Sequence, residues 1–209
     1  MSESKCKICR RAGTKLFLRG ERCLSPKCAM IKRAYPPGPK GKRRKSPLSE
    51  YGKELREKQK LKKLYNLTER QFSNYAKNVL KKRGKVADVS EEFIRILESR
   101  LDNVILRLGL ATSRPQARQL VSHGYFLVNG KAINVPSYQL EKGDTISFKP
   151  QKEKKTVFKN IKNLVKKYKP PVWLKLDMEK MEGKKISEPT LAEVMPPAEI
   201  SVIFEFYSR

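Results

Sequence analysis

Residues 113–135 read "SRPQARQLVSHGYFLVNGKAINV", and this stretch predicts a short helix followed by a β-hairpin. Ser113 and Gln116 have the spacing of a capping box, which marks the start of a helix. Gly124 ends the helix, because glycine readily adopts the left-handed conformation found there. The apolar positions within the helix face one side, so we expect that side to pack against a core.

The polar side of this helix carries Arg114 and Arg118, which are four residues apart and share one face. Like charges at this spacing cost a little stability unless an anion lies over them. We therefore interpret the two arginines as candidate phosphate contacts. The alternative is two solvated arginines.

The hairpin is predicted by the Asn129-Gly130 dipeptide, which lies between two β-rich runs and favours a type I′ turn. The sequence "TISF" at 145–148 predicts a third strand. Two helices on a small curled antiparallel sheet are therefore expected over residues 91–150.

The clearest helix is predicted over residues 91–109, where apolar side chains fall on one broad stripe. Ser90 is its expected N-cap and Gly109 its expected end.

Other helical patterns lie on either side of this region. Residues 50–64 are charged with loose helical spacing, and Thr68 with Gln71 predicts a capping box at the start of a second basic helix. The tail of the chain has a basic stretch at 166–177, and Pro170, Pro171, Pro196 and Pro197 are expected to make the tail rich in loops. The closing stretch 200–209 is either a final strand or an apolar segment that docks on an earlier helix.

The chain is strongly basic, with 48 Lys and Arg against 21 Asp and Glu, a net charge of +27. Residues 1–90 hold 27 basic and 7 acidic side chains, so most of the excess lies there. Self-repulsion of this size disfavours a compact free state unless a polyanion neutralises it. Nucleic acid is the expected partner, with an anionic membrane as the weaker alternative.

All four cysteines lie within residues 6–28, in the pattern Cys-x2-Cys, thirteen residues, Cys-x4-Cys. Two close pairs separated by a short loop can surround a tetrahedral ion, so a structural zinc site is expected with the ligands Cys6, Cys9, Cys23 and Cys28. Free thiols, two disulfides and an iron–sulfur cluster are the alternatives.

Residues 35–49, "YPPGPKGKRRKSPLS", have four prolines and five basic side chains and cannot build a core. They are interpreted as a basic strap that becomes ordered on a polyanion, or as a plain solvated linker.

Several classes of protein are disfavoured. His123 is the only histidine, so little remains for a catalytic triad, and neither GxGxxG nor GxxxxGK[ST] occurs. No run of 18 apolar residues is present, and the N-terminus is charged where a signal peptide needs an apolar stretch. A cytoplasmic protein with no membrane association, no small-molecule substrate and no catalytic activity is therefore expected.

The stretch 99–146, with "SRxxARQLV" followed by "VNG", resembles the small RNA-binding module named after ribosomal protein S-four. The stretches "CRRAGTKLFLRGERCLSPKCAM", "YPPGPKG", "LREKQKLKKLYNLTERQF" and "FEFYSR" extend the resemblance from end to end. The chain is thus identified as a member of the bacterial-type small-subunit ribosomal protein S-four family, in its zinc-containing form.

The resemblance implies an α+β protein with an N-terminal four-cysteine zinc knot, a mostly helical body and an inserted S-four module. The implied boundaries are 1–34 for the knot, 35–49 for the strap, 50–95 plus 180–209 for the body, and 96–179 for the module.

The implied function is that of a structural constituent of the small ribosomal subunit, in the cytoplasm. The family binds the 5′ domain of small-subunit ribosomal RNA and nucleates assembly. Its neighbours are ribosomal proteins S-five, S-twelve and S-three, and it contributes to decoding accuracy and to the mRNA entry site.

The candidate RNA contacts are basic or polar residues beside the cysteines, in the strap, on the basic helices and in the module. They are Lys7, Arg10, Arg11, Arg22, Lys27, Lys42, Arg43, Arg44, Lys45, Lys58, Lys62, Arg70, Arg107, Ser113, Arg114, Gln116, Arg118, His123, Asn129 and Lys131.

Two other functions compete with this interpretation. An RNA-modifying or aminoacylating enzyme would use the same module to capture its substrate, but no residues remain for a catalytic domain. A zinc-containing DNA-binding regulator has similar cysteines, but the sequence shows no helix with several base-reading polar residues on one face.

Overall fold

The computed structural model describes residues 4–39, 47–152, 161, 165 and 168–208. The chain divides into two compact units: the first is Met1–Phe93 together with Met195–Arg209, and the second is Ile94–Val194. The second unit is therefore an insertion between two parts of the first. No helix in the described part of the chain is both long and apolar enough to cross a membrane.

The first unit is helical. Its helices are α1 (Lys5–Ala12), α2 (Glu21–Leu24), α3 (Ala29–Lys32), α4 (Glu50–Leu64), α5 (Glu69–Leu80) and the last helix of the chain, α10 (Ile200–Ser208). The predicted capping box of α5 is confirmed, because Thr68 and Gln71 each accept a hydrogen bond from the other's backbone N–H. This exchange satisfies two backbone donors that a helix start otherwise leaves unpaired.

The closing segment forms α10 and packs against α4 and α5, so docking on earlier helices is confirmed and the final strand is wrong. Ile200 and Ile203, three residues apart, are buried on one face of α10. The ring of Phe204 lies 5.3 Å from that of Phe93. The β-rich composition of the segment is overruled because helices, rather than a sheet, surround it.

The second unit combines helices with a small antiparallel sheet. Its elements are α6 (Val89–Glu98, shared with the first unit), α7 (Leu101–Arg107), α8 (Arg114–Ser122), β1 (Phe126–Val128), β2 (Lys131–Ala132), β3 (Thr145–Phe148), β4 (Leu174–Asp177), β5 (Glu182–Lys185) and α9 (Leu191–Val194), with a 3₁₀ turn at Pro150–Lys152. The strand order is β2-β1-β3-β5-β4, and every pair is antiparallel. Helices α7 and α8 and the sheet share one apolar core.

The single helix predicted over 91–109 is wrong, because the chain breaks between α6 and α7. The Ser99 carbonyl accepts a hydrogen bond from the Leu140 N–H at 2.9 Å, and the Leu101 N–H donates to the Tyr138 carbonyl at 2.8 Å. These backbone groups pair with a distant segment instead of continuing the helix.

Of the two ends predicted for the 91–109 helix, the C-terminal one is confirmed and the N-cap residue is wrong. Gly109 closes α7 with a φ of 76°, as expected. At the start, the Asp88 carboxylate rather than Ser90 accepts the capping hydrogen bond, from the Ser90 N–H at 2.7 Å.

The hairpin and the third strand are confirmed. Asn129 and Gly130 have φ values of 50° and 77°, and positive φ at both central residues defines a type I′ turn. The turn joins Val128 to Lys131, which are Cα partners in the sheet.

The tail beyond residue 166 contains a hairpin where loops were expected. β4 and β5 extend the sheet beyond β3, and Trp173 is buried just before β4. Residues 180–194, which the resemblance assigned to the helical body, thus supply a strand to the second unit. The glycine in β5 is needed because a Cβ on Gly183 would meet Leu108 Cδ1 at 2.4 Å.

The turn after α7 generates a stability prediction. Gly109 has a positive φ, and a Cβ there would lie 2.7 Å from Cγ of Tyr168. We expect Gly109→Ala to lower the free energy of unfolding of the second unit by about 2–3 kcal/mol, through backbone strain plus a clash. Trp173, the only tryptophan, is buried in this unit, so its fluorescence during urea unfolding provides the measurement.

The control is Gly124→Ala, where φ is 66° but nothing lies within 4 Å of the added Cβ. It should cost only the backbone strain, about 1 kcal/mol. Equal losses for the two variants would contradict the clash with Tyr168.

Candidate metal centre and candidate nucleic-acid interface

The four cysteines come from three short helices of the first unit. Cys6 and Cys9 lie on α1, Cys23 on α2, and Cys28 directly precedes α3. Cys9, Cys23 and Cys28 are more than nine-tenths buried, and Cys6 is half-buried. Helices α1 and α3 are in contact, so the two cysteine pairs of the sequence are brought together.

The electrostatic environment of Cys9 includes the other three cysteines. Burial raises the pKa of the Cys9 thiol, a hydrogen bond from the Leu16 backbone N–H lowers it, and the charges of the Cys23, Cys6 and Cys28 thiols raise it further. Neighbouring thiols that oppose each other's ionisation need a cation nearby to become thiolates together.

Hydrogen-bond donors surround the sulfurs as well. The Arg19 backbone N–H lies 3.4 Å from Cys23 Sγ, and Arg19 Nη1 lies 3.7 Å from Cys6 Sγ. Donors of this kind orient and stabilise thiolate ligands in metal sites.

The arrangement is not a closed coordination sphere. No cysteine forms a disulfide. Among the described residues, no three His, Cys, Asp or Glu side chains form a group that could hold a metal ion. The donor set of four soft sulfurs nevertheless fits zinc in its chemistry and in its paired spacing along the sequence.

The predicted contacts beside the cysteines divide into two kinds. Lys7, Arg11, Arg22 and Lys27 are exposed. Arg10 is half-buried instead: its Nε donates to the Tyr35 carbonyl at 2.8 Å, and its guanidinium lies 5.0 Å from the centre of the Tyr35 ring. Arg10 therefore holds the start of the strap against α1. The strap candidates Lys42, Arg43, Arg44 and Lys45 lie outside the described residues.

On α4 the two lysines that were predicted as RNA contacts are buried. Lys58 and Lys62 are buried, and their Nζ atoms lie 2.6 and 2.5 Å from the two carboxylate oxygens of Glu69. Lys58 also lies 4.2 Å from the centre of the Phe206 ring. Both lysines therefore stabilise the helical packing and do not face solvent as phosphate contacts, whereas Arg70 beside Glu69 is exposed.

Four other cations of α4 form a stripe that was missed. Lys53, Arg56, Lys60 and Lys63 recur at intervals of three and four residues, so they share one face of the helix. Lys53 and Arg56 are exposed, whereas Lys60 and Lys63 are half-buried and Lys60 is paired with Glu57. With Arg10 and Arg11 the four cations line a cavity of about 960 Å³ between α1 and α4. The signal was present in the sequence as helical spacing of basic residues.

In the second unit, Arg107 and Arg114 belong to an internal network around Glu98, whose side chain is 0% exposed. Arg107 makes two hydrogen bonds to the Glu98 carboxylate, at 2.9 and 2.8 Å. Arg114 Nε donates to Asn103 Oδ1 at 2.9 Å, and Asn103 Nδ2 donates to Glu98 Oε2 at 2.6 Å. Arg107 and Arg114, which were predicted as phosphate contacts, therefore both bind polar groups inside the second unit.

The start of α8 also differs from the prediction. Ser113 is the N-cap residue, but it is buried and its side chain makes no capping hydrogen bond. The Gln116 Oε1 accepts instead from the Thr112 N–H at 2.8 Å and from its hydroxyl at 2.5 Å. The capping box between Ser113 and Gln116 is therefore wrong. Arg118 lies half-buried on this helix.

Asn129 is exposed, and its side chain forms hydrogen bonds with the residues at the start of β3. Its Oδ1 accepts from the Thr145 N–H at 2.9 Å, and its Nδ2 donates to Asp144 at 2.7 Å. His123 and Lys131 are exposed at the end of α8 and in the hairpin.

The β4–β5 hairpin adds two cations that sequence reasoning missed. Lys175 and Lys184 are Cα partners on neighbouring strands and are both exposed. Like charges directly opposite each other destabilise a sheet, unless an anion compensates. They were missed because this hairpin was expected to be loops.

Comparison with family models matches two descriptions. "Ribosomal protein S4/S9 N-terminal domain" matches residues 1–98, and "S4 domain" matches residues 99–146. Together they cover well over half of the chain.

Curated relatives match over nearly the full length. The chain is 48% identical over 204 residues to "Small ribosomal subunit protein uS4" of Halothermothrix orenii, covering 98% of this chain and 96% of the relative. Proteins with the same name from Thermus thermophilus and Caldicellulosiruptor saccharolyticus are 46% and 47% identical with the same coverage.

The Glu69 ion pairs generate a pH prediction. Partial burial disfavours ionisation of the Glu69 carboxylate, but hydrogen bonds from Lys58, Lys62 and Tyr207 outweigh it and lower its pKa from 4.5 to about 2. The folded state therefore binds this proton less readily than the unfolded state. The stability from Glu69 is fully present above pH 4.5 and is lost as the pH falls towards 2.

We expect Glu69→Gln to flatten the acid loss of unfolding free energy of the first unit between these pH values, as measured by circular dichroism during urea unfolding. The control is Glu205→Gln, which removes an exposed carboxylate of the same unit and should leave the wild-type slope. An unchanged slope in Glu69→Gln would contradict the role of these ion pairs.

Proposed function

Since the chain belongs to the ribosomal protein S4 family, we propose that it is a structural constituent of the small ribosomal subunit and binds ribosomal RNA. The family is non-enzymatic, and its place is in the ribosome, in the cytoplasm. The observation that carries the RNA-binding role in this chain is the cationic stripe of α4 beside the cavity against α1.

The physical mechanism is electrostatic positioning. Exposed lysines and arginines displace counterions condensed on RNA, which gives affinity that falls with salt. Lysine acts as a point charge on phosphate and arginine as a planar fork, so these contacts fix the position of the protein without reading bases. Recognition of a folded RNA then depends on its shape, because the base edges of A-form RNA are hidden in a deep, narrow groove.

The proposal extends to a finer role. The chain is a primary binder of the 5′ domain of small-subunit ribosomal RNA and nucleates assembly there. The neighbours proposed for it are ribosomal proteins S-five, S-twelve and S-three, with contributions to decoding accuracy and to the mRNA entry site. What supports this role is the similarity to uS4 over nearly the whole chain.

A structural zinc ion is proposed at Cys6, Cys9, Cys23 and Cys28. Its support is the paired spacing, the burial of three thiols and the N–H donors directed at the sulfurs. When bound, zinc would supply the positive charge that lets the four thiols ionise together. The residues of α1, α2 and α3 would then hold their basic side chains in fixed positions.

The RNA-binding role is tested by substituting lysines of the cationic stripe on α4. Lys53→Gln and Lys63→Gln should each weaken binding to a 5′-domain ribosomal RNA transcript and reduce the slope of log affinity against log salt by about 1. Their combination should reduce it by about 2. The measurement is filter binding over a series of salt concentrations, with tRNA as the competing RNA.

The matched control is Lys82→Gln, which removes an exposed ammonium already paired with Glu92 at 3.2 Å. It should leave the slope unchanged. Wild-type protein that prefers tRNA to the transcript would contradict the proposed function. Stripe variants that keep the wild-type slope would instead contradict the assignment of the interface.

The zinc proposal is tested by the metal content of the purified protein. Protein purified without chelator should contain about one zinc ion per chain by mass spectrometry, and Cys23→Ser should lose it. Loss of zinc should also increase protease cleavage within residues 1–39, since short helices with little apolar burial depend on the ion. Iron with inorganic sulfide, or four titratable thiols and no metal, would contradict zinc.

A further inference from the structure

Phe17 has an unusual backbone conformation. Its φ is 50°, in the left-handed region that glycine and asparagine tolerate. A bulky residue there is a genuine outlier, and such strain persists only where the surrounding structure imposes it. Phe17 lies between α1 and α2, in the loop that separates the two cysteine pairs.

The surroundings of the loop impose this conformation. Leu16 and Leu18, on either side of Phe17, are only 1% and 4% exposed. The Arg19 backbone N–H is hydrogen-bonded to the sulfur of Cys23 at 3.4 Å. Two buried leucines and this N–H···S hydrogen bond thus fix the loop on both sides of a single residue.

The result of this constraint is an exposed aromatic ring. The Phe17 side chain is 46% exposed, although a phenylalanine normally gains its stability from burial. The strained conformation therefore presents the ring to solvent instead of adding it to the core. Glycine would meet the backbone requirement without strain, so the fold alone does not explain phenylalanine here.

Two exposed cations lie close to Phe17 in the sequence. Lys15 and Arg19 are both exposed, and they are two positions before and two positions after Phe17. An aromatic face flanked by positive charges is the arrangement that binds unpaired nucleotides, since the base stacks on the ring and the cations meet the phosphates. Paired bases are not available for such stacking.

We propose that Phe17 is a stacking platform for one unpaired base of ribosomal RNA, with Lys15 and Arg19 beside the adjoining phosphates. The inference rests on the proposed RNA-binding function and adds to it a specific contact with a base. It also gives the cysteine centre a role in binding, because the sulfurs hold the loop that presents the ring.

The first test separates stacking from stability. Phe17→Gly should weaken binding to the 5′-domain transcript by about tenfold, while the protein unfolds at the same or a higher urea concentration because the strain is removed. Phe17→Leu, which keeps an apolar side chain but no ring, should bind as weakly as Phe17→Gly. Phe17→Trp should bind at least as tightly as the wild type.

The second test separates stacking from charge. Phe17→Gly should leave the salt slope of binding unchanged, whereas Lys15→Gln should reduce it by about 1. The matched control is Leu24→Ala, which shortens another apolar side chain of this region that is 77% exposed. It should leave both affinity and slope at wild-type values.

A direct readout comes from fluorescence. The tryptophan of the Phe17→Trp variant should be quenched when the transcript binds, because a stacked base quenches indole emission. Wild-type protein supplies the baseline, since its only tryptophan, Trp173, is 1% exposed.

The outcomes distinguish the inference from the function on which it rests. If wild-type protein does not prefer the transcript over tRNA, the proposed function fails. If the wild type binds but Phe17→Gly or Phe17→Leu binds equally well, only the stacking platform fails. The same conclusion follows if the Phe17→Trp emission is unchanged on binding, and the ring would then face a protein neighbour or solvent.

Discussion

The excess of positive charge is the constraint on which the structure depends. Repulsion among the cations of a chain with a net charge of +27 disfavours the folded state. The structure reduces this repulsion by pairing some of the cations internally. Lys58 and Lys62 meet Glu69, Arg107 meets Glu98, and the buried Arg100 meets Asp102 at 2.6 Å. These pairs fix helix positions, and the cations left on the surface are arranged by the same helices into stripes.

Local signals in the sequence predicted local structure well. The α5 capping box, the Asn129-Gly130 turn and the glycine that ends α7 each depend on residues within a few positions of one another. Features that depend on distant partners were missed. The break between α6 and α7 requires segment 138–140, and β5 requires β3, and no local pattern indicates either pairing. The end-to-end resemblance identified the family, but it did not indicate these pairings.

The same distinction explains why basic residues predicted for one role differ in their surroundings. Lys58 and Lys53 are both lysines of α4, yet one is buried against Glu69 and Phe206 while the other is exposed beside the cavity. Composition cannot separate them, because the difference lies in which face of the helix packs against α10. Helical spacing from a buried anchor such as Leu61 would have separated them.

The N-terminal region shows how a binding surface can depend on very little core. Between residues 4 and 39 the buried apolar side chains are two leucines and three cysteines, and α2 and α3 have four residues each. Helices this short are not stable alone. The buried sulfurs, one of which accepts a hydrogen bond from the Arg19 N–H, therefore contribute much of the packing within the region. A basic loop fixed in this way can hold a strained aromatic residue at the surface, which a flexible basic segment could not do.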